Sequence, residues 1–496
     1  MAVASARDQE AYLRRVRPIG WINPAPRALY DLVIIGAGPA GLAAAEAAVR
    51  PGRSVALVER GRIGGNSLNL GSVPANALIH SAAVHGVGHA GAPPADSAAV
   101  MGRMHRVRAR IAEYHCIERL QARGIDVFFG EARFTGKSGV LCGTQQLAFK
   151  RALIATGARP KAPVVPGFAQ IGYLTSATIF DSDTLPMQLT IVGGGPLGCE
   201  LAQSLARLGA HVTIVQNEPK FLPLEERDAA ELLSRALARD GVVIRLNTTV
   251  VGVRKCGKQK WLDTVSNGVK SSLAADAIFL GIGRVPNVQG LNLGAAGIEF
   301  DRRDGVKVDD YLRTSNPHIY AAGDVCMRDK FTNVAQASAQ TAVLNAFAVR
   351  KRRLSHWLIP RCTHCDPEVA HIGLHVREAR RRAIVIQSFT IMMQDVDRAI
   401  IDGQDVGFVK IHVRDGTDEI LGATVVATRA SELINELSVI MSGGIGMRRL
   451  AAILHSYPAQ SDAIRLAAVA YCAAKNPDGP IAPARRARRS VRRRAG

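Results

Sequence analysis

The sequence predicts an α/β protein: two strand–helix–strand units with parallel sheets, one interrupting the other, followed by an α+β domain. Three observations carry this prediction. A run of β-formers, Leu32 to Ile35, breaks at Gly36, Gly38 and Gly41, passes into an Ala-rich helix and resumes as Val55 to Val58, closed by Glu59. The pattern returns from Leu189, where a shift of 157 positions superposes Gly36, Gly38, Gly41 and Glu59 on Gly193, Gly195, Gly198 and Gln216. Beyond Leu358 the phosphate-type glycine loops stop, and alternating strands such as Phe408 to Val413 take over with two helices.

Each repeat reads as a Rossmann-like dinucleotide-binding unit. In GxGxxG the glycines serve the tight turn, the close approach of backbone to pyrophosphate, and the packing of helix on strand. The helix that follows presents unpaired N–H groups to the phosphates. Glu59 lies 23 residues after Gly36, where a carboxylate takes the hydroxyls of an adenosine ribose. Gln216 in the second unit neither repels nor attracts a 2′-phosphate strongly, and Lys220 is the nearest base, so NADH and NADPH both stay open. Two dinucleotide sites in one chain imply two cofactors that exchange electrons, and hence an oxidoreductase.

In chain order, residues 1–30 read as a polar extension ending in loop chemistry around Pro24 and Pro26. Residues 31–160 form the first part of one nucleotide domain, 161–284 the inserted domain, and 285–355 the remainder of the first. Within the first part, glycines 61, 64, 65 and 71 mark a loop, Pro74 opens a helix, and residues 86–98 read as a mobile connection. Strands end in glycine turns at Ala155-Thr156-Gly157, Gly281-Ile282-Gly283-Arg284 and Ala322-Gly323-Asp324, which is where ligands sit in a parallel sheet. Asp324 either holds the polyol hydroxyls of a flavin or caps a turn. Residues 356–475 read as a domain for association and site completion, and 476–496 as a basic disordered tail.

The chain of 496 residues is too long for one core, and no window of 18 or more residues is apolar enough to span a membrane. The polar start lacks the apolar core of a secretory signal, and eight scattered cysteines make no disulfide scaffold, so a reducing cytoplasm is expected. The net charge of +21 concentrates in Arg350-Lys351-Arg352-Arg353 and in the arginines from Arg485 to Arg494. Contact of that tail with nucleic acid or an anionic surface is the weaker reading. Aromatic interleaving and a recognisable nucleic-acid module are both missing, and a solvated tail is favoured.

Taken together, GAGPAG at 36–41, GGNSLNLGSVP at 64–74, ATGARP at 155–160 and VGGGPLGCE at 192–200 resemble the class I pyridine nucleotide-disulfide oxidoreductases. GIGRVPN at 281–287, YAAGDV at 320–325, DPEVAHIG at 366–373 and the segment from His455 extend the likeness, which points to the mercuric reductase and dihydrolipoamide dehydrogenase branch. The resemblance implies an FAD domain interrupted by an NAD(P) domain, a dimerisation domain, and a homodimer whose second subunit reaches the flavin. It assigns Gly36, Gly38, Gly41, Glu59, Thr156, Gly157, Arg284 and Asp324 to FAD. It assigns Gly193, Gly195, Gly198, Glu200, Gln216 and Gly283 to the nicotinamide nucleotide.

The departures from the family pattern fall at the chemistry. Ser67 and Ser72 stand where the resemblance places the redox cysteines, and Asn76 where it places a lysine beside the flavin. Tyr457 stands at the acid–base position, as in the mercuric reductase branch, with its orienting carboxylate shortened to Asp462. A serine hydroxyl supplies no thiolate and no disulfide couple. Cys362-Thr363-His364-Cys365 is the only close cysteine pair, readable as a dithiol or as half a zinc site with His364, Asp366 or His371. Zinc wants four ligands and a second CxxC is missing, so packing is favoured and no metal is expected. The leading expectation is an FAD enzyme that takes electrons from NADH or NADPH and passes them directly to an acceptor. The alternatives are a disulfide or mercuric reductase using another cysteine pair, and a non-catalytic FAD-binding protein.

Overall fold

The computed structural model describes residues 2–86, 94–257 and 259–476, with backbone alone for 2–7. The Arg-rich tail and most of the 86–98 connection lie outside the described residues.

Helix α1, Ala2–Val16, corrects the reading of residues 1–30 as a polar extension. Tyr12 and Val16, one helical turn apart, are fully buried in the same core as the first nucleotide unit. The sequence hides this because a single buried stripe is diluted by the charged residues around it.

Strands β1 (Tyr30–Ile35) and β2 (Val55–Glu59) are joined through α2 (Pro39–Val49), as the alternation of strand, glycine turn and Ala-rich run predicts. The glycine segment read as a loop contains a short helix, α3 (Gly65–Leu70), and after Gly71 the helix expected at Pro74 begins at Ser72 as α4 (Ser72–Gly86). Gly64 and Gly65 have φ of +92° and +53°, so these glycines set the entry to α3 rather than prevent a helix. Helices α5 (Ser97–Ala112) and α6 (Ile117–Ala122) follow, then strand β3 (Ile125–Phe129).

The first parallel sheet runs β3, β2, β1, then the long strand Gln145–Ile154, then Ile319–Ala321. The last strand comes from beyond the second unit, so the first sheet is completed only after the chain returns. The second sheet repeats this order with Val243–Arg245, His211–Val215, Gln188–Val192 and Ala277–Leu280, all parallel. Each unit also carries an antiparallel meander after its third strand: 132–154 in the first and 248–275 in the second. The 157-residue repeat is therefore a repeat of whole sheets.

The C-terminal region is a five-stranded antiparallel sheet in the order Arg361–Thr363, Glu368–Gly373, Ile420–Ala427, Phe408–Arg414, Ile386–Met392. Helices Ala430–Ser442 and Asp462–Lys475 cover it, burying Leu433, Leu437, Ile464 and Tyr471 against Ala423 and Val425. Among the described residues no helix is long and apolar enough to cross a membrane.

Candidate active site

The turn after β1 shows why glycine stands at each motif position. Gly36 has φ +106°, and a Cβ there would lie 2.4 Å from the Ala155 carbonyl oxygen. A Cβ on Gly41 would lie 1.8 Å from the Gly36 carbonyl oxygen, so this glycine lets α2 sit on its own turn. Gly38 meets nothing closer than 3.6 Å, and its bareness keeps the mouth of the turn open. The second unit repeats the geometry. Gly193 has φ +104° and would strike the Gly281 carbonyl at 2.5 Å, Gly198 would strike Gly193 at 2.4 Å, and Gly195 faces open space.

The side chains that close the second strands, Glu59 and Gln216, differ in what they bind. Glu59 accepts hydrogen bonds from Ala37 N–H (2.7 Å) and Gly61 N–H (2.6 Å), which orient a carboxyl that burial pushes up from its ordinary value. Gln216 donates from Nε2 to the Lys220 carbonyl at 3.1 Å, and its buried Oε1 is left without a partner beside Gly194. An orphaned acceptor at the ribose position, together with two bare glycine cradles, fits two dinucleotides.

A cleft of about 500 Å³ opens in front of the first cradle. The predicted residues Gly36, Gly38, Glu59, Thr156, Gly157, Arg284 and Asp324 line it, together with Ser67 and Ser72. Arg284 and Asp324 come from separate motifs and meet there with Nε 3.7 Å from Oδ2. Burial raises the Asp324 carboxyl, against the opposing charges of Arg284 and Lys330, and lowers the Arg284 guanidinium. Gly41 packs beneath the turn and does not line the cleft.

Ser67 on α3 and Ser72 at the start of α4 are bridged by a residue that sequence reasoning missed. Thr332 donates from Oγ1 to Ser67 Oγ at 3.1 Å and lies 3.4 Å from Ser72 Oγ. It opens the helix Thr332–Phe347, which brings it across the cleft from a position 265 residues away. A threonine before an Ala-rich run is the only sequence signal, and it marks a helix start rather than a site. Lys330, also missed, lines the cleft and is held by the carbonyls of Asp324 (2.8 Å) and Met327 (3.0 Å).

Four expected residues lie outside the lining of this cleft and have partners of their own. Asn76 is exposed, does not line the cleft, and donates to the Ser72 carbonyl (2.9 Å). Glu200 is buried, and its carboxylate accepts from His364 N–H (2.9 Å) in the C-terminal domain. Tyr457 is 76% exposed and donates to Asp397 (2.9 Å), while Asp462 is taken by Arg465 (2.7 Å). The expected tyrosine–carboxylate pair is not formed, because Asp462 begins its helix with Arg465 one turn away. Gly283, with φ +103°, lies on the loop from Ala277–Leu280 and accepts from Lys161 N–H through its carbonyl (3.0 Å).

Among the described residues no cysteine lines the cleft. Burial pushes both Cys362 and Cys365 up, with Glu368 and Glu200 adding to it at Cys362, and Cys199 and Glu200 at Cys365. Burial likewise pushes Cys326 up to about 12.

The profile of the pyridine nucleotide-disulphide oxidoreductases matches residues 30–343, and that of their dimerisation domain matches residues 359–468. The chain belongs to this family. It is 32% identical over 453 residues to a mercuric reductase of Streptomyces lividans, spanning 88% of this chain and 95% of that one. It is 30% identical over 454 residues to the dihydrolipoyl dehydrogenase of Thermus scotoductus, spanning 89% and 97%. Among solved structures, the HOCl-induced flavoprotein disulfide reductase RclA of Escherichia coli superposes with a TM-score of 0.80 at 28% identity, over 87% of this chain and 98% of that one. Members of this family bind FAD and take electrons from NAD(P)H. The bare cradles and the two ribose-position side chains described above are consistent with that cofactor pair.

Proposed function

We propose that this protein is an FAD-dependent NAD(P)H oxidoreductase in which electrons pass from the flavin directly to the acceptor, with no redox disulfide between them. The observation that carries the reading is the hydroxyl triad Ser67–Thr332–Ser72 in a cleft without a cysteine. Bound FAD supplies the hydride-accepting and electron-donating chemistry of its ring system. The chain's own residues bind and orient. Glu59 would fix the ribose end, the backbone N–H groups of Gly38 and Ala40 would hold the pyrophosphate, and Asp324 with Arg284 would hold the middle of the cofactor. Serine and threonine hydroxyls on the far wall donate and accept hydrogen bonds but hold no electrons.

Acceptors consistent with this arrangement are a second nicotinamide nucleotide, a quinone or dye, and oxygen. Tyr457 and Asp462 lie outside the cleft of their own chain, which favours a homodimer in which a second copy completes the site. Eight unpaired cysteines suit a reducing cytoplasm.

Anaerobic titration of the flavin-loaded protein with NADH and with NADPH tests the reading. Bleaching that stops at about two electrons per flavin is expected, because the flavin alone is the store. Uptake of about four would reveal a hidden dithiol. The second reading, a disulfide or mercuric reductase, is favoured by the names of the relatives. Turnover of lipoamide, glutathione disulfide or Hg(II) would establish it.

A further inference from the structure

The loop between strands Arg361–Thr363 and Glu368–Gly373 lies away from the cleft, and none of its residues lines it. There the Cys362 sulfur, a His364 ring nitrogen and a Glu368 carboxylate oxygen all lie within 4.8 Å of one another. His364 Nδ1 is 3.1 Å from Glu368 Oε1. We propose that Cys362, His364 and Glu368 form a binding site for a borderline-soft divalent cation of the Zn²⁺ class, with water as the fourth ligand.

The donor set argues for this class. One sulfur, one imidazole nitrogen and one carboxylate oxygen suit zinc, whereas calcium and magnesium demand oxygen alone. A thiolate and a carboxylate together balance a charge of two. Tetrahedral zinc with ordinary bond lengths sets its ligand atoms about 3.4–3.6 Å apart. The His–Glu pair is already inside that spacing, and the remaining closure is of order 1 Å. All three residues are half-buried, so ion and water have a way in.

The surrounding contacts hold two of the three ligands in place. Glu368 spends its other oxygen, Oε2, on the Ser431 N–H (2.7 Å) at the start of helix Ala430–Ser442, which leaves Oε1 turned to the site. The His364 backbone N–H is fixed by Glu200 Oε1 (2.9 Å) from the second nucleotide unit. Ligand-orienting contacts of this kind are typical of metal sites. Cys362 packs against the C-terminal core, and among the described residues the hydrogen bond of its Sγ is a weak one, to the Thr363 carbonyl at 3.6 Å, which a metal bond would replace. On binding, the sulfur–metal bond replaces the S–H bond and the proton leaves to solvent. The simpler alternative is a His364–Glu368 ion pair with an idle thiol beside it. The two differ in whether the thiol binds.

The sequence alone favoured packing because it offered Cys362 and Cys365 as the pair. The fold separates them: Cys365 points into the core with Cys199, and Glu368 takes its place. The site lies where the second nucleotide unit, through Glu200, meets the C-terminal sheet, whose first two strands and the loop between them supply all three ligands.

The test uses the flavin-loaded full chain, stripped with chelator and dialysed against Zn(II), with Co(II) as the spectroscopic probe. One Zn(II) per chain is expected, and Co(II) should add a thiolate charge-transfer band to the difference spectrum against the flavin. Cys362→Ser should abolish that band and weaken Zn(II) binding by about tenfold or more, and Glu368→Gln should weaken it comparably. Each variant is compared at equal flavin content, which shows that it has folded. Cys365→Ser should retain the band. Zn(II) binding that is absent from the wild type, unchanged by Cys362→Ser, or dependent on Cys365 would overturn the proposal.

Discussion

Acidification from pH 7 to pH 5 should loosen the junction between the second nucleotide unit and the C-terminal sheet, and His412 sets the size of the effect. His412 is fully buried on strand Phe408–Arg414, with Nδ1 2.8 Å from Ser388 Oγ. Its Nε2 lies 3.7 Å from Glu226 Oε1 and has no hydrogen-bond partner. Burial pulls its pKa down to about 4; Glu226 and Asp228 oppose this, while Lys410 and His375 add to it. In the unfolded chain the ring takes its proton near its ordinary value of 6.5, whereas in the fold it stays neutral until about 4. The stability tied to a neutral His412 is therefore complete above 6.5 and is lost as pH falls towards 4. The full shift is worth about 3 kcal/mol, of which about 2 kcal/mol is gone at pH 5.

Glu226 acts in a lower window. Burial alone would raise it, but the His375 contact, the Val376 N–H, His412 and Lys410 together bring it to about 2. Its contribution persists above its ordinary value of 4.5 and fades between 4.5 and about 2, so a comparison of pH 7 with pH 5 leaves it almost untouched. His371 shifts in the same direction as His412, because burial and the His375 ring stacked on it at 3.4 Å both disfavour its charge. A variant is therefore needed to isolate the effect. The assay is urea unfolding by tryptophan fluorescence at fixed protein and flavin concentration, on wild type and His412→Gln. Wild type should lose about 2 kcal/mol more than the variant between the two pH values. Parallel losses would refute the assignment.

Glu59→Ala removes the acceptor for two backbone N–H groups at the first cradle, and each such charge-assisted bond is worth about 1.5–3 kcal/mol. Flavin affinity should fall by at least about tenfold, read as the flavin-to-protein ratio after dialysis. Replacing both Ser67 and Ser72 with cysteine places two thiols against Thr332, and anaerobic NAD(P)H uptake should rise from about two to about four electrons per flavin. Tyr12→Phe strips the donor from the buried Asn69 side chain and should cost about 1–3 kcal/mol of stability, measured by the urea midpoint.

The glycine motifs were legible because each glycine answers a steric demand that no other residue meets, and the clashes at Gly36, Gly41, Gly193 and Gly198 bear this out. The repeat was legible for the same reason. Helix α1 was not, because its burial depends on a partner far along the chain. Arg108 on α5 is fully buried, sits 4.5 Å from the Tyr12 ring and donates to Gln9 (2.9 Å) and Asp181 (3.1 Å). An arginine that is wholly buried reads in sequence as a solvated one. The orientation of Glu200 was equally hidden: its motif fixes the helix, but only the packed C-terminal loop reveals which neighbour it serves. Thr332 and Ser67 are linked by a contact across 265 positions, and local pattern carries no trace of such a link.

The losses around the flavin wall are coupled rather than scattered. With hydroxyls at 67 and 72 there is no thiolate for a neighbouring cation to stabilise. The side chain at the usual lysine position, Asn76, is exposed and occupied with the Ser72 carbonyl. Two further cations of the cleft are engaged as well: Lys330 by the Asp324 and Met327 carbonyls, and Arg284 by Asp324 and the Ala158 carbonyl (2.6 Å). A protein that merely held FAD would need one cradle. This chain keeps two, and the second retains a glycine turn that a single methyl group would block, with the Gln216 acceptor still open beside it. An intact second cradle is difficult to reconcile with a non-catalytic role and is what an enzyme reduced by a nicotinamide nucleotide requires. On the proposed mechanism, hydroxyls in place of thiols along the cleft leave the flavin as the last carrier before the acceptor, which would have to approach the ring closely enough to take electrons from it.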